Sequence, residues 1–224
     1  MRAVVFDLDG TLIDSLPDIA SSVNVSLAAR GLAALPADAI ETMIGDGAKV
    51  LLTKAFAARG AEMTEADLAA FVTYYTAHSA DETAPYPGIV DALRDLRAAG
   101  HPLGVCTNKP AVAAREVLAS LKLDEFFDVV TGGDATPYKK PDPRHLEAAV
   151  TALGASEAVM VGDHYNDIAA AAGLGIPAIF AAWGYGSAES LYVARNAAEL
   201  PGLIKDLPAG TVPQGLTEAA KKPI

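Results

Sequence analysis

The sequence predicts an α/β protein: a doubly wound, Rossmann-like parallel sheet with a small all-helical cap inserted after its first strand. Three observations predict it. Short apolar runs recur at 3–6, 103–106, 129–130, 158–161 and 176–180, each followed by a polar turn. Helical periodicity occupies 88–99, 111–121 and 143–153 between them. From Asp14 to about Glu82 the strand signal lapses and only helical patterns remain. The runs are continuous rather than alternating, as in strands covered on both faces. Strands alternating with helices give a parallel sheet, whose ligands sit beyond the carboxyl ends of the strands.

Taken in order, Ala3-Val4-Val5-Phe6 is the first strand and Asp7 ends it. Only Arg2 separates Met1 from this run and Asp7 ends it, so no secretory apolar region is expected here. The insert follows, with helical patterns at 16–30, 37–43, 48–59 and 65–79. Gly31 and Gly60 suit helix stops, and Thr64 suits an N-cap. Thr83-Ala84-Pro85-Tyr86-Pro87-Gly88 is the expected return linker, so the cap spans 15–82 and the core 1–14 plus 83–224. In the core, Ile89, Leu93 and Leu96 line one helix face, while Asp142 caps a helix with Pro143 at its first position. Residues 168–186 carry no charge and nominally reach a bilayer span. Gly173, Gly175, Pro177, Gly184 and Gly186 interrupt them, so a helical turn, a buried strand and a loop are expected instead. The tail after Leu207 carries no functional signal.

With 224 residues, 51% of them hydrophobic, the chain has material for a sizeable core. A net charge of −11 argues against binding a nucleic-acid backbone, which needs a basic surface. A small anion held by a local cation remains compatible with it. The one cysteine, Cys106, has no intrachain partner, which suits a reduced, cytoplasmic protein with a buried thiol.

The chemistry gathers at strand ends. In Asp7-Leu8-Asp9-Gly10-Thr11, residues two apart lie on one side of an extended segment, so Asp7 and Asp9 face one site. Two such carboxylates repel unless a cation joins them or one is protonated. The pair therefore suits a divalent metal, or a nucleophile beside an acid/base. Thr107-Asn108-Lys109 offers a hydroxyl and backbone N–H groups at the start of a helix, a small anion site or a simple cap. Lys139-Lys140-Pro141-Asp142-Pro143 sets a cation before another helix. Asp163 and Asp167, four apart, share a face if the helix has begun.

These motifs resemble, in order and spacing, the haloacid dehalogenase superfamily of phosphohydrolases, over residues from about 2 to 205. Within it the chain is most similar to phosphoglycolate phosphatases. Ile44-Gly45-Asp46-Gly47-Ala48, Tyr86-Pro87-Gly88, Thr107-Asn108-Lys109-Pro110, Gly132-Gly133-Asp134 and Lys139-Lys140-Pro141 carry that closer likeness. The resemblance implies a Mg²⁺-dependent hydrolase of a small phosphomonoester, first of all 2-phosphoglycolate, through an aspartyl-phosphate. Asp7 would be the nucleophile, Asp9 the acid/base, and Lys140, immediately before proline, the catalytic lysine. Asp7, the Asp9 carbonyl and Asp163 would hold the metal, with Asp167 nearby. Thr107 and the Asn108 backbone would hold the phosphoryl group. The Gly45–Lys49 turn would read the rest of the substrate, through Gly45, Gly47 and Lys49. Pyrophosphate, sugar phosphates or a mutase reaction are the alternatives within the superfamily, and a non-catalytic phosphate binder the alternative outside enzymes. His164 stands where the family usually has serine. His78, His101 and His145 lack ligand-like spacing, and Trp183 and Tyr185 either border the site or pack beside it. No membrane or nucleic-acid partner is implied, and the oligomeric state is left open.

Overall fold

The computed structural model describes residues 2–208, so nearly all of the tail after Leu207 lies outside the described residues. In chain order, β1 (Arg2–Phe6) and the short β2 (Ile13–Asp14) lead into α1 (Leu16–Ala29), α2 (Ala37–Glu41), α3 (Ala48–Ala57) and α4 (Glu65–Ala77). The chain returns through β3 (Ala84–Pro85) to α5 (Ile89–Ala98), β4 (Leu103–Cys106), α6 (Ala111–Ser120) and β5 (Val129–Thr131). It ends with α7 (Pro143–Ala152), β6 (Glu157–Gly162), α8 (Tyr165–Leu174), β7 (Ala178–Ala181), β8 (Tyr192–Ala194) and α9 (Leu200–Asp206).

Six strands form one parallel sheet in the order β5-β4-β1-β6-β7-β8. Val5 of the central strand pairs with Gly104 on one side and Met160 on the other. Side chains alternate across β1. Val4 and Phe6 pack with Leu93 and Leu96 of α5, Val117 of α6 and Ile204 of α9. Ala3 and Val5 pack on the opposite face with Leu146 and Val150 of α7 and Leu174 of α8. Both faces are covered, which is the physical reason β1 is apolar from Ala3 to Phe6.

Helices α1–α4 carry a hydrophobic cluster of their own. Ile19, Val23 and Leu27, one stripe of α1, meet Leu52 and Phe56 of α3 and Phe71 and Tyr75 of α4. The cluster reaches the sheet layer through Ala113 of α6. Gly31 and Gly60 end their helices at φ of +69° and +70°, a conformation that costs glycine least. Thr64 caps α4 in a reciprocal box with Asp67.

Three features exceed the sequence reading. β2 and β3 pair as an antiparallel ribbon where the insert leaves and rejoins the sheet. β8 and α9 close the sheet edge, and both are too short for periodicity to mark. β7 begins after Pro177, which has no N–H to give the ladder, rather than at Ile176. Among the described residues, no helix is long and apolar enough to cross a membrane.

Asp18 fastens the ribbon. Its buried carboxylate accepts from Glu82 N at 3.0 Å, Thr83 N at 2.9 Å and Thr83 Oγ1 at 2.6 Å. Asp18→Ala strands these donors, so urea unfolding is expected to show a loss of about 3 kcal/mol. A change below about 0.5 kcal/mol would mean the ribbon holds without it.

Candidate active site

The site begins where β1 runs out. Asp7 N still donates to Val161 O at 2.9 Å, so Asp7 continues the strand by one residue. The chain then turns over the Leu8 carbonyl, which accepts from the amides of Thr11, Leu12 and Ile13. Gly10 makes this turn at φ +84°, and a Cβ there would lie 2.4 Å from Asp163 Oδ2. Only glycine fits. Asp7 and Asp9 consequently line the same cavity.

Behind Asp7 lies a buried charge cluster. Lys140 Nζ stands 2.8 Å from Asp7 Oδ1 and 2.6 Å from Asp167 Oδ1, and its side chain is 1% exposed. Burial pulls the lysine pKa down, but Asp167 and Asp7 outweigh this and hold it above its ordinary value. Asp167 also accepts from His164 N at 3.0 Å. Burial, with Asp7 and Asp163 close by, raises its carboxyl pKa against the opposing pull of Lys140. Asp163 accepts from Thr11 Oγ1 at 2.8 Å, Tyr185 N at 2.9 Å and Gly186 N at 3.2 Å. Burial first, and then Asp7, push it up to about 6.

Carboxylate oxygens of Asp7, Asp163 and Asp167 lie within 4.8 Å of one another. Asp7 Oδ1 is buried and accepts no hydrogen bond, since its contact with Lys140 is a close charge pair out of hydrogen-bond alignment. Hard oxygen donors, crowded and short of positive charge, fit a divalent cation.

Thr107 and Asn108 follow β4. The Asn108 side chain donates to Gly45 O and Lys140 O, both at 2.9 Å, and accepts from Lys140 N at 2.9 Å. One amide thus ties the lysine loop to the turn of the insert. Gly45 and Gly47 of that turn line the cavity with Asp7, Asp9, Thr107 and Asn108. Asn166 secures the turn from another side, donating to Asp46 Oδ1 at 2.9 Å. Lys49 is not brought to the site. It is exposed and pairs with Glu65 at 2.5 Å, because the first turn of α3 presents it to solvent.

His164 does the capping expected of serine: its Nδ1 accepts from Asn166 N at 3.2 Å at the start of α8. The larger ring also lies against Gly45. Tyr185 borders the site and packs at once, since its N holds Asp163 while its hydroxyl accepts from Ser15 N at 2.7 Å and donates to Asp14. Trp183 Nε1 donates to Thr11 O at 3.0 Å. His145 is a core residue, its Nε2 3.1 Å from Thr107 O, and burial lowers its pKa. His101 contacts Arg2 O and His78 pairs with exposed Asp81.

Sequence reasoning missed Lys109. Its ammonium is buried, 2.7 Å from Asp9 Oδ1, and also donates to the Tyr75 hydroxyl. It was visible only within Thr107-Asn108-Lys109-Pro110, where the likeness gave it no role and its place before a helix reads as a cap.

Residues 4–181 match the haloacid dehalogenase-like hydrolase family. The chain belongs to that family. Among its relatives is the phosphoglycolate phosphatase of Caulobacter vibrioides, 44% identical over 81% of this chain and 79% of the relative. That of Rhodospirillum rubrum is 43% identical over 82% and 80%. A crystal structure described as a predicted phosphoglycolate phosphatase from Haemophilus somnus superposes with a TM-score of 0.82. It is 28% identical and covers 91% of this chain and 98% of its own. This member of the family is a hydrolase whose sheet, helices and insert follow the shared plan.

Gly47 tests the turn. It sits at φ +88° and ψ 168°, a region nearly closed to other residues, and a Cβ would lie 2.9 Å from Asn108 O. Gly47→Ala is expected to cost about 1–3 kcal/mol in thermal or urea unfolding. It should also lower kcat/KM about tenfold by shifting the turn off Asn108. Unchanged kcat/KM would detach the turn from catalysis.

Proposed function

We propose that the chain hydrolyses 2-phosphoglycolate to glycolate and phosphate, with Asp7 as nucleophile. The observation that carries the reading is the Asp7 carboxylate: buried, charge-paired to Lys140, and with Oδ1 free of hydrogen bonds. The kinship with phosphoglycolate phosphatases supports this substrate over pyrophosphate or a sugar phosphate. Ile19, Leu51 and Phe71 stand over the floor of the cavity, which supports a compact leaving group.

An Asp7 oxygen attacks phosphorus in line with the ester oxygen, and the phosphorus–oxygen ester bond breaks. Asp9 gives its proton to the departing glycolate oxygen. Asp9, now a carboxylate, takes a proton from a water that attacks the aspartyl-phosphate. The bond between phosphorus and Asp7 breaks, releasing phosphate. Lys140 stabilises negative charge on Asp7 and on the transferring group. Thr107 and the Asn108 backbone hold phosphoryl oxygens. With its two oxygens engaged by Lys140 and His164 N, Asp167 acts mainly by positioning the lysine.

Asp7 and Asp163, with the Asp9 carbonyl and Asp167 nearby, would hold Mg²⁺, which when bound neutralises charge between nucleophile and phosphate. We further assign the helical segment 15–82 as the cap domain of this core. The single cysteine, Cys106, is buried and has no intrachain partner, which suits the reducing cytoplasm.

Asp7→Asn keeps shape but removes the attacking oxygen, and phosphate release should fall to background, a loss of about 10⁴-fold or more. The far-ultraviolet circular dichroism should stay native. Substantial turnover by clean Asp7→Asn protein would overturn covalent catalysis. Excess chelator should abolish turnover, Mg²⁺ should restore it, and Ca²⁺ should restore little because it accepts looser, higher-number coordination. Full activity in chelator would overturn the metal assignment.

A further inference from the structure

The cavity between sheet and insert has a polar floor and apolar walls. Asp7, Asp9, Thr107 and Asn108 form the floor, while Ile19, Leu51, Phe71 and Val72 stand above it. The lining contains one cation, Lys109. Its side chain is 3% exposed, with Nζ 2.7 Å from Asp9 Oδ1. Tyr75 of α4 covers it, accepting a hydrogen bond on its hydroxyl and placing its ring centroid 4.5 Å from the ammonium. An ammonium has three protons, and the described partners engage two.

We propose that Lys109 is the specificity residue of the site, receiving the carboxylate of the leaving group on its third proton. This rests on the phosphoglycolate reading given above. Asp9 must touch the bridging ester oxygen to protonate it. In phosphoglycolate a single methylene separates that oxygen from the carboxylate carbon, so the carboxylate oxygens lie roughly 3 Å from it by ordinary bond lengths. An ammonium in contact with Asp9 is therefore within reach of the carboxylate whose ester oxygen Asp9 serves.

The cost of the alternative points the same way. A carboxylate entering apolar walls loses its hydration and needs a charged partner in return. Lys49 is spent on Glu65 at the surface, and Lys140 is enclosed between Asp7 and Asp167 behind the floor. Lys139 brings its ammonium near Gly47 but is exposed, so Lys109 alone is both cationic and in the lining. Because Tyr75 belongs to the insert and stacks on Phe71 within that cluster, the lysine is aimed only when the insert is seated on the sheet. Asp9 and Tyr75 are thus the two fixed points that orient it.

The competing role is purely internal, with Lys109 serving only as a partner for Asp9. Two substrates separate the roles: 2-phosphoglycolate and 2-hydroxyethyl phosphate, which has the same carbon chain length and a neutral hydroxymethyl group in place of the carboxylate. In the Mg²⁺-supplied full chain, Lys109→Met should lower the ratio of the two kcat/KM values about 10- to 100-fold, mainly by raising KM for phosphoglycolate. Lys109→Arg should recover part of that ratio. Tyr75→Phe, which keeps the ring and releases the ammonium, should lower the ratio several-fold, and it carries the test if Lys109→Met does not fold. Equal losses on both substrates in these variants overturn the proposal and leave Lys109 as a partner of Asp9. A wild-type protein with no preference for phosphoglycolate overturns the substrate reading itself, and this assignment with it.

Discussion

One ammonium holds the carboxyl end of the sheet together. Lys140 lies between Asp7 and Asp167, which are buried and near Asp163. At about 4 Å and an effective dielectric near 20, two like charges repel by about 4 kcal/mol, so such a cluster does not persist unneutralised. The sheet order β4-β1-β6 creates the problem by design of topology, since it sets the ends of three adjacent parallel strands side by side. Asp7 follows β1, Asp163 and Asp167 follow β6, and Thr107 follows β4. The loop before α7 then delivers the cation, and Asn108 fixes that loop by bonding both the N–H and the carbonyl of Lys140.

The same fastening extends to the insert. Asn108 and Asn166 both donate to the Gly45 carbonyl, from the loops after β4 and β6. Tyr185 holds Asp163 through its backbone and the start of α1 through its hydroxyl. Asp18 ties α1 to the returning strand. The groups that position the floor of the cavity are therefore also the groups that contact its roof, and displacement of the insert would loosen both.

The sequence made the sheet legible because its strands are buried on both faces, which leaves uninterrupted apolar runs such as Ala3–Phe6. It made the helical insert legible through the stripe of Ile19, Val23 and Leu27 and through the stops at Gly31 and Gly60. Asp7, Asp9, Thr107, Asn108, Lys140, Asp163 and Asp167 were each visible as a polar residue at a strand end or loop, and the structure draws them together. What escaped was set by tertiary pairing. The two-residue strands β2 and β3 exist only through each other, and β8 only through β7. Lys49 and Lys109 show the same limit. Spacing alone favours neither, and only the orientation of α3, which turns Lys49 to Glu65, and the approach of Tyr75 to Lys109 decide which one lines the cavity.

That choice bears on how an acidic protein takes an anionic substrate. The net charge of −11 gives no long-range attraction to a phosphate ester, so steering by the overall field does not help. Beyond about 8 Å at physiological salt such a field is screened in any case. Attraction must arise inside the cavity, where low exposure strengthens each pair. At and behind its floor the acids Asp7, Asp163 and Asp167, even with Asp9 protonated, outnumber the ammoniums of Lys109 and Lys140, both already engaged. A phosphoryl group can approach such a floor only with further positive charge at the carboxylates. The oxygen cluster of Asp7, Asp163 and Asp167 is where that charge fits, and the balance is local, buried and independent of the surface.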